Sequence, residues 1–205
     1  MIGMIGKKIG MTQIFKENGV LCPATAIEVG PCSVIQVKSR DSKDGYNAVK
    51  LGYLESEKIS KPEKGVFVKL DLSPMKVLHE FRIDKVRDYE TGMVLKADIF
   101  EIGEKVIVRG TTKGRGFAGV IKRHKFKGGD DTHGCRSQRV PGSIGASSDP
   151  SRVFKGKKLP GHYGAENHAT KGLEILLIDP ENNVIFVKGA VPGARNSIIY
   201  ISKQP

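Results

Sequence analysis

Cysteine is scarce in this chain: Cys22, Cys32 and Cys135 are an odd number with no paired spacing. That argues against a disulfide framework and suits reduced thiols in a cytosol. Long hydrophobic runs are missing as well. No stretch approaches the roughly eighteen apolar residues of a membrane span. The opening "MIGMIGKKIG" sets lysines where a signal peptide needs an apolar run. A cytoplasmic location is the expectation.

Catalytic and ligand-binding patterns are lacking too. "PGSIG" around Ser143 has Pro141 where a nucleophile elbow has its first glycine. "GKK" at 156–158 has neither the following Ser or Thr nor the earlier glycine of a phosphate-binding loop. His124, His133, Cys135, His162 and His168 match no tight zinc spacing, and their basic neighbours disfavour a cation. "RGFAGV", from Arg115, begins like the aromatic motif of an RNA-recognition sheet, but Gly119 stands where that motif needs an aromatic. No paired carboxylates in the basic segment suggest acid–base work. These absences point away from an enzyme and from any metal or cofactor.

What the chain does have is positive charge in one place. Its 34 Lys and Arg against 22 Asp and Glu give +12. Between Arg109 and Gly164 stand thirteen Lys or Arg and three Asp, so this segment holds +10 of the excess. Such a concentration favours a polyanionic partner. The segment contains "GGDDTHGCRSQRVPGSIGASSDPSRVFKGKK", residues 128–158. Its only apolar side chains are Cys135, Val140, Ile144, Ala146, Val153 and Phe154, and they follow neither a helical nor a strand period.

From Lys127 to about His168 periodicity disappears altogether. A loop this long does not belong inside a compact domain unless a partner satisfies its backbone. The composition suits that escape. Glycines permit close approach, and Pro141, Pro150 and Pro160 stiffen the chain. Interleaved Arg and Lys offer forked and point-charge donors to phosphates, while the imidazoles can stack on bases. About twenty residues out and twenty back would reach at most roughly 65 Å.

Elsewhere the chain reads as short strands, rich in Val, Ile and Thr, between turns such as "KENG" and "DSKDG". "GLEILLIDPENNVIFVKG" predicts a hairpin and "NSIIYISK" a last strand. This meander, with 39% hydrophobic residues, predicts a mainly β fold, a small barrel or sandwich. Residues 55–92 break the rhythm. Ser60 and Glu63 have the spacing of a capping box, before a short helix weakened by Gly65, and "VLHEFRI" follows as a strand. The expected division is 1–54 as the first part of a barrel, 55–92 as a small α+β insertion, and 93–121 as barrel leading into an extension. Residues 122–168 form the long basic loop, and 169–205 the last barrel strands. "FAGVIKRHKF" predicts a short basic helix with Phe117, Val120 and Ile121 on one side.

Five stretches carry a family resemblance: "MIGKKIGMTQIF", "GTTKGRGFAGVIKRHKF", "THGCRSQRVPGSIG", "RVFKGKKLPGHYG" and "VKGAVPG". In this order they resemble motifs of the bacterial L-three (uL3) family of the large ribosomal subunit. The resemblance runs from Met1 to about Ile201 and is most specific over 109–164. It implies a closed six-stranded, Greek-key-like barrel similar to the second domain of translational GTPases, with a small inserted domain and a long basic extension. It implies primary binding to large-subunit (23S-type) rRNA near its 3′ end, nucleation of subunit assembly, and an extension toward the peptidyl transferase centre. Neighbours would be the L-fourteen and L-nineteen proteins.

Carried onto this chain, the rRNA-binding residues are Lys113, Arg115, Lys122, Arg123, Lys125, Lys127, His133, Arg136, Arg139, Arg152, Lys155, Lys157 and Lys158. Gly142, Ser143 and Gly145 form the tip. Some family members carry a methylated glutamine after "PGSIG"; here Ala146 occupies that place and has no side-chain amide to modify. A free-standing RNA-binding regulator would share the basic loop. An RNA-modifying enzyme would need a cofactor pocket, of which the sequence shows no trace.

Overall fold

The computed structural model describes residues 3–204. In chain order the elements begin with strands β1 (Gly3–Phe15), β2 (Leu21–Val29), β3 (Cys32–Lys38) and β4 (Ala48–Glu55), then helix α1 (Lys61–Val68). Next come β5 (Met75–Arg82), β6 (Val94–Leu95), a 3-10 turn at Ala97–Ile99, β7 (Lys105–Thr111), β8 (Phe117–Ala118) and helix α2 (Val120–His124). The chain ends with β9 (Gly161–His162), β10 (Asn167–Asp179), β11 (Val184–Lys188) and β12 (Ile198–Lys203). Two compact units result. One is built from the chain up to Thr111 and from Asn167 onward; the other is Thr112–Glu166.

In the first unit six strands pair antiparallel in a closed barrel, ordered β1-β12-β7-β10-β11-β2. Period-two alternation builds it: Val106 and Val108, Ile185 and Val187, and Ile199 and Ile201 are buried while their neighbours are not. At the start of β1, the adjacent Met4 and Ile5 are both fully buried. Successive strand residues point to opposite faces, so both faces are covered there. The cover is a second sheet, β5-β4-β3-β6, whose Val34, Val49, Leu51 and Phe81 share one hydrophobic cluster with the barrel. Each such aliphatic side chain contributes about 1.5–3 kcal/mol by leaving water.

The barrel takes only β1 and β2 from residues 1–54; β3 and β4 pair with β5 and β6 instead. Alternation in a sequence tells which face of a strand is buried, not which sheet the strand joins. Helix α1 covers this second sheet, burying Phe67 against Ile35 and Met75. Its start matches the expected capping box. The Glu63 carboxylate accepts from the Ser60 amide at 3.2 Å and from its hydroxyl at 2.7 Å, which holds the Glu63 carboxyl below its usual pKa.

His79 of β5 stacks on Tyr200 of β12 with ring centroids 3.9 Å apart. Burial, and then the Arg109 charge, hold its pKa below the usual 6.5, while Glu80 opposes them. An unfolded chain therefore takes up this proton first. The stability that neutral His79 contributes is full above about 6.5 and is lost as pH falls through the lower folded value. Melting temperatures between pH 7.5 and 5 should fall, and His79→Gln should flatten that limb. The depressed carboxyls of Glu80, Glu174 and Asp179 titrate in a separate, more acidic window.

Candidate nucleic-acid interface

The second unit opens as a narrow two-stranded stem. Strand β8 pairs with β9 through Phe117↔His162 and Ala118↔Gly161. Below that ladder the Thr112 amide donates to the Glu166 carbonyl at 2.9 Å and the Arg115 amide to the Tyr163 carbonyl at 2.8 Å. Gly164 sits at φ +74°, and a Cβ there would run into the Lys113 carbonyl oxygen. The backbones cross too closely for any other residue.

Helix α2 follows, one turn long, with Val120 buried and Lys125 in the left-handed region ending it. Phe117 does not join Val120 and Ile121 on a helix face. It lies in β8, before the helix begins, and is 81% exposed. Lys122, Arg123 and His124 occupy the last turn, where cations favour the helix dipole. The Arg123 guanidinium donates to the Leu159 carbonyl at 2.8 Å, and a His124 ring nitrogen lies 3.1 Å from the same oxygen. Arg123 is thus half-buried and clamps the outgoing strand of the loop to the returning one. This role, between residues 36 apart in sequence, was invisible to composition.

Farther out, the Gly129 amide donates to the Gln138 carbonyl at 2.9 Å, closing a small loop. A Cβ at Gly128 would lie 2.7 Å from the Gln138 oxygen, and one at Gly129 2.8 Å from that of Ser137. Past Gln138 the chain loses nearly all internal support. Among the described residues, the hydrogen bonds within 139–158 are the Lys157 amide to the Phe154 carbonyl and the Ser143 hydroxyl to the Gly145 carbonyl. Such a backbone must be completed by water or by a partner. At the tip Gly142 has φ +71°, whereas Gly145 has none of that constraint.

The expected interface residues all fall in this unit, and every one except Arg123 is exposed. Residues 112–166 hold twelve Lys or Arg against four Asp or Glu. Among the described residues, none of these twelve makes an ion pair. The first unit behaves differently. Its Lys16 and Lys188 pair with Glu174, Lys38 with Asp44 and Glu80, and Lys203 with Glu104. The Lys38 ammonium is held well above its usual pKa by its hydrogen bonds with Tyr46 and then Glu80. The first unit also sets 18 Asp and Glu against its 22 Lys and Arg, whereas the second sets only four against twelve. Aromatic partners add little: Arg115 lies 4.9 Å from the Tyr163 ring centroid and Arg152 5.9 Å from that of Phe154.

The three cysteines are free, and burial pushes the Cys32 thiol up to about 12. Among the described residues no three His, Cys, Asp or Glu side chains converge as metal ligands, and no helix is long and apolar enough to cross a membrane.

Residues 78–182, which span the whole of this unit, match the family model for ribosomal protein L3. The chain belongs to the ribosomal protein L3 family. Relatives extend the match to nearly its full length. The large ribosomal subunit protein uL3 of Syntrophus aciditrophicus is 53% identical over 98% of this chain and 93% of its own. The uL3 of Thermosipho africanus is 49% identical over 97% and 96%, and that of Desulforapulum autotrophicum 49% over 98% of both. Membership of the L3 family makes the chain a structural ribosomal protein and not an enzyme.

Proposed function

We propose that this L3-family chain is a structural constituent of the large ribosomal subunit in the cytoplasm, and that residues 112–166 bind large-subunit rRNA. One observation carries this: twelve unpaired cations lie on a segment whose outer twenty residues have almost no internal hydrogen bonds. Phosphates would neutralise the cations, and RNA would complete the backbone. Lys113, Arg115, Lys122, Lys125, Lys127, His133, Arg136, Arg139, Arg152, Lys155, Lys157 and Lys158 make the contacts. Arg123 shares its guanidinium between RNA and the Leu159 carbonyl.

The finer picture follows the family resemblance. The barrel is Greek-key-like and similar to the second domain of translational GTPases. The chain binds near the 3′ end of the 23S-type rRNA, nucleates assembly beside the L-fourteen and L-nineteen proteins, and directs its tip toward the peptidyl transferase centre. Purified, salt-washed large subunits should contain the chain at near one copy each. Its loss in the wash, with recovery on free RNA or as a separate species, would favour a regulator or modifying factor instead.

The tip has its own expected result. A Cβ at Gly145 would meet only the Arg152 carbonyl at an ordinary 3.7 Å. Gly145→Trp should therefore fold and incorporate normally while altering chemical probing of rRNA around the catalytic centre. Unchanged probing in purified mutant subunits would move the tip elsewhere.

A further inference from the structure

Strand β1 is paired on both sides only near its start. Its ladder with β12 ends at Lys7↔Ile198, whereas its ladder with β2 continues to Phe15↔Leu21. The loop before β12 reaches only slightly farther: the Asn196 amide donates to the Lys8 carbonyl and Arg195 Nε to the Ile9 carbonyl, at 2.7 and 2.9 Å. Among the described residues, no strand pairs with the far edge from Gly10 to Phe15.

Hydrogen bonds on the neighbouring strand tell which groups that edge presents. Pro23, opposite Gln13, has no amide, and its carbonyl accepts from Gly189 at 2.8 Å. Val29, in the same orientation along β2, gives its amide to the Asn183 carbonyl at 2.7 Å. Odd-numbered residues of β2 therefore face away from β1. At the hairpin end the Lys16 amide donates to the Val20 carbonyl at 3.0 Å, so even-numbered residues of β1 face β2. Met11, Gln13 and Phe15 consequently turn their amides and carbonyls outward, as alternate residues of an antiparallel strand must.

The side chains agree with the backbone. Met11 is 56% and Phe15 72% exposed, and Leu21 and Pro23, opposite Phe15 and Gln13, are exposed on the same face. Neither Gly10–Phe15 nor the facing Leu21–Ile27 contains a charged residue. The usual devices that blunt an edge, a lysine, a proline or a bulge within it, are missing here. The bulge between Lys8 and Gly10 lies before the edge. Of the cations at its two ends, Lys16 is paired with Glu174 at 3.0 Å, and Arg195 Nε is bound to the Ile9 carbonyl beside Gly10. Between Gly10 and Phe15 a phosphate backbone would find no lysine or arginine, whereas a polypeptide strand would find matched donors, acceptors and an apolar face.

We propose that Met11–Phe15 is a strand-addition site. In the large subunit an extended segment of another protein pairs with the open edge of β1 and lays apolar side chains over Met11, Phe15, Leu21 and Pro23. The setting rests on the ribosomal role proposed above. The test uses large subunits purified from cells whose chain carries the photo-reactive amino acid benzoylphenylalanine in place of Phe15, together with amide hydrogen exchange. Irradiation should give an adduct with another ribosomal protein. The amides of Met11, Gln13 and Phe15 should exchange roughly 100-fold more slowly in subunits than in the free chain.

Gln13→Pro removes the central outward amide without touching the ladder to β2, and should cut the adduct yield about tenfold or more. Gln13→Ala keeps the amide and should keep the adduct. An adduct to rRNA alone or to a second copy of the chain, or unchanged exchange in subunits that contain it, overturns the site. Absence of the chain from the subunits would overturn the ribosomal role, and the site with it.

Discussion

Raising salt from about 50 to about 200 mM should weaken binding of this L3-family chain to an isolated large-subunit RNA domain by roughly 10³- to 10⁵-fold, if six to ten phosphates are neutralised. The expectation comes from where the charge is concentrated: residues 112–166 carry twelve Lys or Arg against four Asp or Glu, the rest of the chain 22 against 18. The first unit commits Lys16, Lys38, Lys188 and Lys203 to carboxylates within 4 Å, so these side chains release few counterions on binding. Residues 112–166 offer twelve cations with no such partner, eleven of them exposed. Arg123, held by Leu159, is the weakest contributor to the slope. Replacing Lys155, Lys157 and Lys158 with Gln should reduce the steepness by about two to three units. Filter binding across a salt series measures both. A slope near zero would contradict the electrostatic account, since no other part of the chain supplies a comparable field.

Much of this division was legible in the sequence, for a physical reason. A segment that buries nothing shows its independence by lacking a period, and 128–158 has only six apolar side chains without one. The hairpin of β10 and β11 and the last strand β12 announced themselves as runs rich in Val and Ile beside turn residues. What stayed hidden depends on pairing between distant residues. The second sheet begins at Cys32 rather than beyond residue 54, because β3 and β4 look like barrel strands until their partners are known. Strands β8 and β9 have two residues each, too short for any period, and so Phe117 was expected on the helix. The Arg123 clamp and the open edge of β1 likewise exist only through register.

Replacing residues 128–158 with a short glycine linker should leave the first unit almost untouched while removing most RNA affinity. Every apolar side chain lost was a candidate for hidden packing, Phe154 above all, since deleting a buried phenylalanine costs about 3–5 kcal/mol. Phe154 is 57% exposed, and Val140, Ile144 and Val153 are exposed as well. That cost therefore does not arise. The stem survives too, because the β8–β9 ladder and the Arg123 and His124 contacts to Leu159 lie outside the deleted span. Lost with it are the Gly129–Gln138 bond and two more backbone bonds on an exposed loop, of the Cys135 and Lys157 amides. Against these, closing a loop about a third as long returns roughly 1 kcal/mol of chain entropy. Thermal unfolding followed by circular dichroism should show one cooperative transition within several degrees of the parent. Binding to the RNA domain at low salt should fall by at least 10³-fold, because six of the twelve cations of the unit go with the segment. Loss of the cooperative transition would place 128–158 in the core. Retained affinity would move the RNA contacts to the stem and to the first unit.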